Sequence, residues 1–303
     1  RRRHSSAGGY GAIPGVDGPR RVFPHPVGAG PVQNIHGKNN TVGGPFCERV
    51  LELDLLTADG ATQTISATTH PELFHAVCGG MGLLGAVTRV KLQLHKVPSG
   101  NLMVTPIIAR NLEELLLRFE SRLSSADYLV AWVDCLARGE TLGRGLIHTA
   151  EYVGTKDADA LRASYADNLS GLPTRVMGFP KAHLWRFMRP FTNDAFVPWV
   201  NAAKYWSAFA GWRWRARGYA QSLVAFNFLL DYVTDWERAY GDGGLIQYQL
   251  FVPAEGALAC IREVLTACHQ AGIVPYLGVL KRHRADDFLL SHGVDGWSLA
   301  LDF

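Results

Sequence analysis

Gly79-Gly80-Met81-Gly82-Leu83-Leu84-Gly85-Ala86-Val87-Thr88-Arg89-Val90-Lys91-Leu92-Gln93-Leu94 is the stretch whose reading decides the fold. Four glycines crowd its first seven residues, and strict apolar–polar alternation fills the remainder, the mark of a half-buried strand. Just upstream, His70-Pro71-Glu72-Leu73-Phe74 opens a short helix with proline at an early helical position. The order is therefore helix, glycine bend, strand. Dinucleotide fingerprints and P-loops need the reverse order, strand, glycines, helix, so the order argues against a Rossmann domain. Two readings of the bend stay open: a tight structural turn, or a place where backbone amides come close to a ligand.

Working back from the bend, Val50-Leu51-Glu52-Leu53-Asp54-Leu55-Leu56 alternates, turns at Ala58-Asp59-Gly60 and returns through Thr62 to Ile65, which is a β-hairpin pattern. Before it, Asn34-Ile35-His36-Gly37-Lys38-Asn39-Asn40 gathers an imidazole, an ammonium and three amides around one glycine. That group is costly to bury unless something binds it; the plainer reading is a solvated turn. The first 30 or so residues are rich in Gly and Pro and show no period, so they read as irregular.

Working forward, the pattern pauses near Pro98 to Gly100, where a domain boundary is expected. Strands are expected at about 101–107, 127–134, 144–153, 219–225, 244–252, 275–281 and 297–303, and helices at about 111–123, 157–168, 181–189, 195–209 and 254–271. That succession fits an α+β domain whose antiparallel sheet is covered on one side by helices.

The bulk numbers narrow the partners. At 303 residues, the chain has room for two domains. A net charge of +3 is too mild for nucleic acid, which needs a concentrated basic stripe. Five widely spaced cysteines with no C-x-x-C pair suggest neither a disulfide framework nor a zinc site, and fit a reduced, cytoplasmic setting. No run reaches the length of a membrane span, and no signal-peptide core opens the chain. From Pro180 to Tyr219, Trp185, Trp199, Trp206, Trp212 and Trp214 are interleaved with Arg186, Arg189, Lys204, Arg213, Arg215 and Arg217. This mixture suits a membrane headgroup layer or a lipid-phosphate channel; tryptophans packing a helical layer onto the sheet are the alternative.

Taken with their spacing, these segments resemble a known family. They are Gly28-Ala29-Gly30-Pro31-Val32-Gln33-Asn34-Ile35-His36-Gly37-Lys38-Asn39-Asn40, then Leu55-Leu56-Thr57-Ala58-Asp59-Gly60, then Glu72-Leu73-Phe74-His75-Ala76-Val77-Cys78 with the glycine bend. Downstream follow Trp236-Glu237-Arg238-Ala239-Tyr240-Gly241, Gly244 to Pro253, Gly278-Val279-Leu280-Lys281, and Gly296-Trp297 through Asp302-Phe303. Together they are similar to the FAD-linked oxidases of the vanillyl-alcohol oxidase type, and within them to the decaprenylphosphoryl-β-D-ribose 2′-oxidases, from about residue 25 to the end.

The resemblance implies an α+β protein. Residues 1–98 would form part of a PCMH-type FAD-binding domain, its second α/β subdomain, and residues 99–303 a substrate domain. It further implies FAD as cofactor, held by Gly28, Ala29, Asn34, Ile35, His36, Gly37, Gly80, Met81, Gly82, Gly85 and Val87, with hydride passing to the flavin N5. His36 and Lys38 would lie at the substrate face of the flavin, and Gln247, Gln249 and Lys281 would contact a sugar and its phosphate. Gln247 and Gln249 are two apart on one strand, so both face one side. Trp132 would wall the pocket, together with Asn227, Ser298 and Ala300, where the family has tyrosine, asparagine and cysteine. Further departures stand at Ala29 (glycine in the family), Pro31, Asn34 (aspartate), Asn40 and Thr41 (histidines), and Pro45-Phe46-Cys47 (Ser-Phe-Gly); they imply a different or relaxed substrate pocket. No metal is implied. The resemblance also implies a small-molecule or lipid-linked sugar substrate, a partner reductase that completes a 2′-epimerisation, and peripheral membrane contact.

Two features of the family pattern, an upstream flavin subdomain and a segment returning to it with a further lysine, are expected to lie outside this chain. An aldonolactone or alditol oxidase on the same scaffold, or a non-catalytic remnant, are the other readings of the sequence.

Overall fold

The computed structural model describes residues 29–154, 158–169, 175–176, 178–215, 217–228, 233, 235–241 and 243–303. They fall into two compact units: Pro98–Arg282 with Gly296–Phe303, and a second whose described part is 29–97 with His283–Asp295.

The smaller unit opens with two short helices, α1 (Ala29–Gln33) and α2 (Asn40–Gly43). Strands β1 (Val50–Leu56) and β2 (Thr62–Ile65), helix α3 (Pro71–Val77) and strand β3 (Ala86–Leu92) follow, and the sheet order β2-β1-β3 is antiparallel throughout. Leu53, Leu55 and Ile65 point inward and are fully buried with Phe74, Val77, Cys47 and Cys78. Glu52 and Asp54 point outward, where Arg89 bridges both at 2.9 and 2.6 Å. The alternation slips at one place: Val50 is buried and Leu51 exposed, because the pairing with β3 shifts register between Val50 and Glu52.

The bend after α3 is built from glycines for two separate reasons. Gly79 and Gly82 hold φ of +78° and +75°, a region open chiefly to glycine. At Gly80 the limit is space, since a Cβ would lie 2.3 Å from the Ala76 carbonyl oxygen; at Gly85 both limits act, with φ at +148° and a Cβ 2.4 Å from the Leu56 carbonyl oxygen.

The larger unit holds strands β4 (Asn101–Ala109), β5 (Tyr128–Val133) and β6 (Gly145–Tyr152), with helix α4 (Leu112–Glu120) after β4 and helix α5 (Ala158–Leu169) after β6. A two-stranded ribbon, β7 (Arg175–Val176) and β8 (Phe179–Pro180), precedes helices α6 (Leu184–Met188) and α7 (Val197–Arg215). The chain ends through β9 (Tyr219–Ser222), α8 (Leu223–Asn227), β10 (Gln247–Pro253), α9 (Ala257–Ala271), β11 (Leu277–His283) and β12 (Gly296–Asp302). Seven strands make one sheet in the order β10-β12-β11-β5-β6-β4-β9. The pairings β10–β12, β11–β5, β5–β6, β6–β4 and β4–β9 are antiparallel.

Helices α4 and α9 cover one face of this sheet. Leu112, Leu115, Leu116 and Phe119 repeat at helical spacing on α4, and Ala257, Ile261 and Leu265 on α9; both rows pack on Ala131, Val133, Ile147, Leu280, Trp297, Leu299 and Leu301. Asn111 caps α4 by accepting the Glu114 amide at 2.9 Å, and Gly272 ends α9 in the left-handed conformation. On the opposite face α7 packs through Tyr205 on Trp132 and Leu146. β5, covered on both sides, is buried at all six positions.

Two expected elements differ. The alternation over 219–225 stops at Ser222, whose Oγ accepts the Ala225 amide and starts α8 instead. The helix expected at 181–189 is divided: one 3-10 turn precedes the five-residue α6, and a second, holding Pro190, follows it.

Gly85→Ala should lower stability by about 2 kcal/mol or more, because the new methyl collides with backbone. Gly82→Ala meets nothing closer than 4.0 Å and should cost only the left-handed strain, about 1–2 kcal/mol. Urea unfolding of both variants checks the order; equal losses would contradict the packing described for Gly85.

Candidate active site

The polar segment after α1 is held by one side chain. Asn34 has a left-handed backbone (φ 42°) and a fully buried amide. Its Oδ1 accepts the Cys47 amide at 3.1 Å, and its Nδ2 donates to Asp286 Oδ2 at 3.1 Å and Ser291 Oγ at 3.0 Å. The family pattern has aspartate here. With Asp286 alongside, a second carboxylate would be repelled, whereas the amide supplies the donors that Asp286 needs.

That anchor sets the position of His36. The imidazole is buried, with its ring centroid 4.5 Å from His283 and 5.2 Å from His292. His283 Nδ1 meets Asn40 Nδ2 at 2.8 Å, so with the amide donating, the His283 proton sits on Nε2. Asn40 Oδ1 is buried with no hydrogen-bond partner among the described residues. Burial lowers the His292 pKa, opposed by the Asp286 charge. No group of His, Cys, Asp and Glu among the described residues has the arrangement of a metal site. Lys38 is half-buried, Ile35 likewise, and Gly37 is buried. Gly28 lies outside the described residues.

The glycine bend is bonded directly to α1, the helix that leads to His36. The amides of Gly79 and Met81 donate to the carbonyls of Pro31 and Val32 at 2.9 and 2.8 Å. Those two amides are spent inside the protein. The Gly82 amide makes no such bond among the described residues, and Met81, Gly82, Leu83 and Leu84 are exposed. Val87 pairs with Leu55 and packs its side chain on the core, which leaves only its backbone for a ligand. Ala29, half-buried, begins α1.

In the larger unit, strand period and register gather most of the remaining residues on one face. Gln247, Gln249 and Phe251 lie opposite Asp302, Ala300 and Ser298, and cross-strand partners share a side. Leu299, Leu301, Leu250, Val252 and Leu280 all turn to the α4/α9 side, so these residues turn away from it. Lys281 lies two residues beyond Val279, which pairs with Trp132, and so faces the same way as that indole. Gln247 donates to Asp302 Oδ1 at 2.7 Å, and burial raises the Asp302 pKa against that bond. Arg282 points to the opposite face, bonded to Glu120 at 3.1 Å, so Lys281 and Arg282 are not a surface charge pair. Asn227 donates from α8 to its own Leu223 carbonyl and touches Tyr128.

Sequence reasoning missed His283, His292 and Asp286, which lie far from residue 36 in the chain, and gave Asp302 no role; Lys204 entered it only as one of the basic residues of the 180–219 stretch. It also expected tryptophans to pack the helical layer on the sheet, as one of two readings. On α7 the packing residue is Tyr205, while Trp199 and Trp206 are 74% and 56% exposed.

Burial without a counter-charge pushes the Lys281 ammonium from 10.5 down to about 8. The charged form therefore burdens the folded state fully below about pH 8. The burden fades as pH rises toward 10.5, where the unfolded chain loses its proton too. Lys281→Met should raise the thermal midpoint at pH 7, and by less at pH 10; a gain that grows with pH would contradict this environment.

No family model matches the chain. It is 29% identical over 302 residues to the decaprenylphosphoryl-beta-D-ribose oxidase of Mycolicibacterium smegmatis, covering 96% of this chain and 61% of that protein. It is 36% identical over 144 residues to an uncharacterized protein in the mprA 5′ region of Streptomyces coelicolor, covering 46% and 37% of the two chains. Cytokinin dehydrogenase 2 of Arabidopsis thaliana is 44% identical over 55 residues, 18% of this chain and 11% of that one. The chain thus spans 61% of the relative that it matches along most of its own length. By sequence the chain is similar along nearly its whole length to a decaprenylphosphoryl-beta-D-ribose oxidase and, over a shorter stretch, to a cytokinin dehydrogenase, names that point to the FAD-linked oxidases.

Proposed function

We propose that this chain belongs to an FAD-dependent oxidoreductase that oxidises a secondary hydroxyl of a polyprenyl-phosphate pentose, the oxidative half of a 2′-epimerisation that a partner reductase completes. The observation that carries it is the bonding of the glycine bend to α1 through the Gly79 and Met81 amides. It holds the glycine bend against the helix that runs directly into the polar segment Asn34–Asn40, in which His36 is buried. On this reading, residues 29–97 with 283–295 serve the cofactor and the larger unit serves the substrate.

The residues present fit a flavin. The exposed run Met81–Leu84 offers apolar side chains beside the unspent Gly82 amide, a mixture suited to a flat heteroaromatic ring with polar edges. Asn40 Oδ1, buried and lacking a donor, is a polar atom that a ligand or water can satisfy. Flavin, when bound, supplies the hydride acceptor. The chain's own groups hold and orient. Lys38 offers positive charge to a developing alkoxide, Gln247 and Gln249 offer amides to sugar hydroxyls, and Lys281 offers an ammonium to the phosphate. A neutral polyol would leave the Lys281 charge without a counter-charge, which favours a phosphate-bearing substrate over an alditol.

The exposed face of α7 supports contact with a lipid surface. Trp199, Trp206 and Phe209 are more than half exposed, as are Phe187 and Phe191 nearby in sequence, and Arg186 and Arg189 lie among them. Aromatic and basic groups together suit anionic headgroups. No helix among the described residues is long and apolar enough to cross a membrane. The double variant Trp199→Ala/Trp206→Ala should bind phosphatidylglycerol vesicles about tenfold more weakly in co-sedimentation, since two indoles leave the interface. Unchanged binding would remove the membrane role from this helix.

Reconstitution with FAD tests the main reading. Purified protein should retain flavin absorbance after desalting. A short polyprenyl-phosphate pentose should bleach it anaerobically, and Lys38→Ala should keep the flavin but bleach about a hundredfold more slowly, the scale of removing one charge-stabilising donor. Protein that stays colourless after reconstitution would overturn the assignment.

A further inference from the structure

Among the described residues of the larger unit, the side of the sheet opposite α4 and α9 carries positive charge that the protein does not balance. Arg144 is paired there with Asp134 at 2.9 Å and stacks over Tyr205 at 4.5 Å, so that buried carboxylate is already committed. Among the described residues no carboxylate is ion-paired with Lys204 or Lys281; Asp134 acts on Lys204 only as a nearby charge. Asp302, on the same face, accepts a hydrogen bond from Gln247, and burial raises its pKa against that bond. Lys204 extends from α7 so that its Nζ lies 4.2 Å from the centroid of the Trp132 indole.

We propose that Lys204 is a second phosphate-binding residue of the substrate face, held over Trp132 so that its ammonium and that of Lys281 receive one anionic group. This rests on the reading above that the substrate carries a phosphate, and it singles out one cation of the 180–219 stretch, at a position to which the named relatives assign no role. An indole face attracts an ammonium but offers it no oxygen acceptor, so the N–H groups turned away from the ring stay available to oxygen acceptors. Lys204 is an exposed residue, yet the protein around its ammonium pushes its pKa down to about 8, with Asp134 only partly opposing. A bound phosphate would supply the counter-charge that both lysines lack. Cation–π contact alone would make Lys204 a packing residue for Trp132, and that alternative gives a different result with a neutral ligand.

The test uses the full chain, with geranyl phosphate as the anionic probe and geraniol as the neutral one, titrated calorimetrically. Lys204→Gln should weaken geranyl phosphate binding about tenfold or more, the range for losing one charge-assisted hydrogen bond. Lys204→Arg should stay within about threefold of wild type, since it keeps the charge. Geraniol binding should not change in either variant. In the wild-type protein, which removes any question of variant folding, geranyl phosphate should slow acylation of Lys204 read by mass spectrometry, and geraniol should not. The proposal is overturned by unchanged geranyl phosphate affinity in Lys204→Gln, by equal loss for both probes, by acylation indifferent to the phosphate, or by a wild-type protein that binds no geranyl phosphate. A protein that binds phosphate through Lys204 but takes up no FAD would overturn the oxidoreductase reading alone. One that takes up FAD but binds phosphate without Lys204 would overturn this one alone.

Discussion

Asn34 is the constraint on which the smaller unit's site depends. One buried amide ties the end of α1 to Cys47 before β1, and to Asp286 and Ser291 about 250 residues later. A hydrogen bond nets only about 1 kcal/mol when made, but a buried group left without one costs about 1–3 kcal/mol. The three bonds are therefore interdependent, because losing any partner strands another. Through this anchor the left-handed turn at Asn34 is fixed, and with it the position of His36 against His283 and His292. The departure from aspartate to asparagine belongs to the same arrangement, for Asp286 already supplies the negative charge.

The larger unit divides its labour by strand parity. Residues facing α4 and α9 are almost all aliphatic or aromatic, and there Leu280, Leu299 and Leu301 are fully buried. The next residues in those strands, Lys281, Ser298, Ala300 and Asp302, face the other way. A one-residue slip would exchange the two sets, placing an ammonium and a carboxylate in the core. Core packing on one side thus fixes the register of polar groups on the other, and the same leucines that stabilise the sheet position the amides and the ammonium.

What was legible in the chain is what a short window can hold. The β1–β2 hairpin follows from alternation interrupted by Asp59-Gly60, and the helical row of α4 from apolar spacing; both depend on neighbours in sequence. The sides on which Gln247 and Gln249 lie follow from strand period alone. The bulge at Val50, by contrast, depends on β3 lying alongside, and nothing within Val50-Leu51-Glu52 announces it. Tyr219-Ala220-Gln221-Ser222-Leu223-Val224-Ala225 carries a strand-like pattern, but Ser222 can also cap a helix, and tertiary contacts favoured the cap. His283 and His292 were beyond reach because their partner is residue 36, and no pattern links positions so distant.

The lysines of the substrate face bring these points together. Burying an ammonium without a carboxylate works against folding, and a structure optimised only for stability would place an apolar side chain at Lys281 or a glutamate near Lys204. Arg144 and Arg282 show that this chain does pair cations with Asp134 and Glu120 where it can. Two lysines with no ion-pair partner among the described residues, beside the paired Arg144, make general surface charge an insufficient explanation. The imbalance is confined to the face that parity keeps free of the core, where a phosphate could complete it, and there the cost to the folded state becomes affinity for an anion.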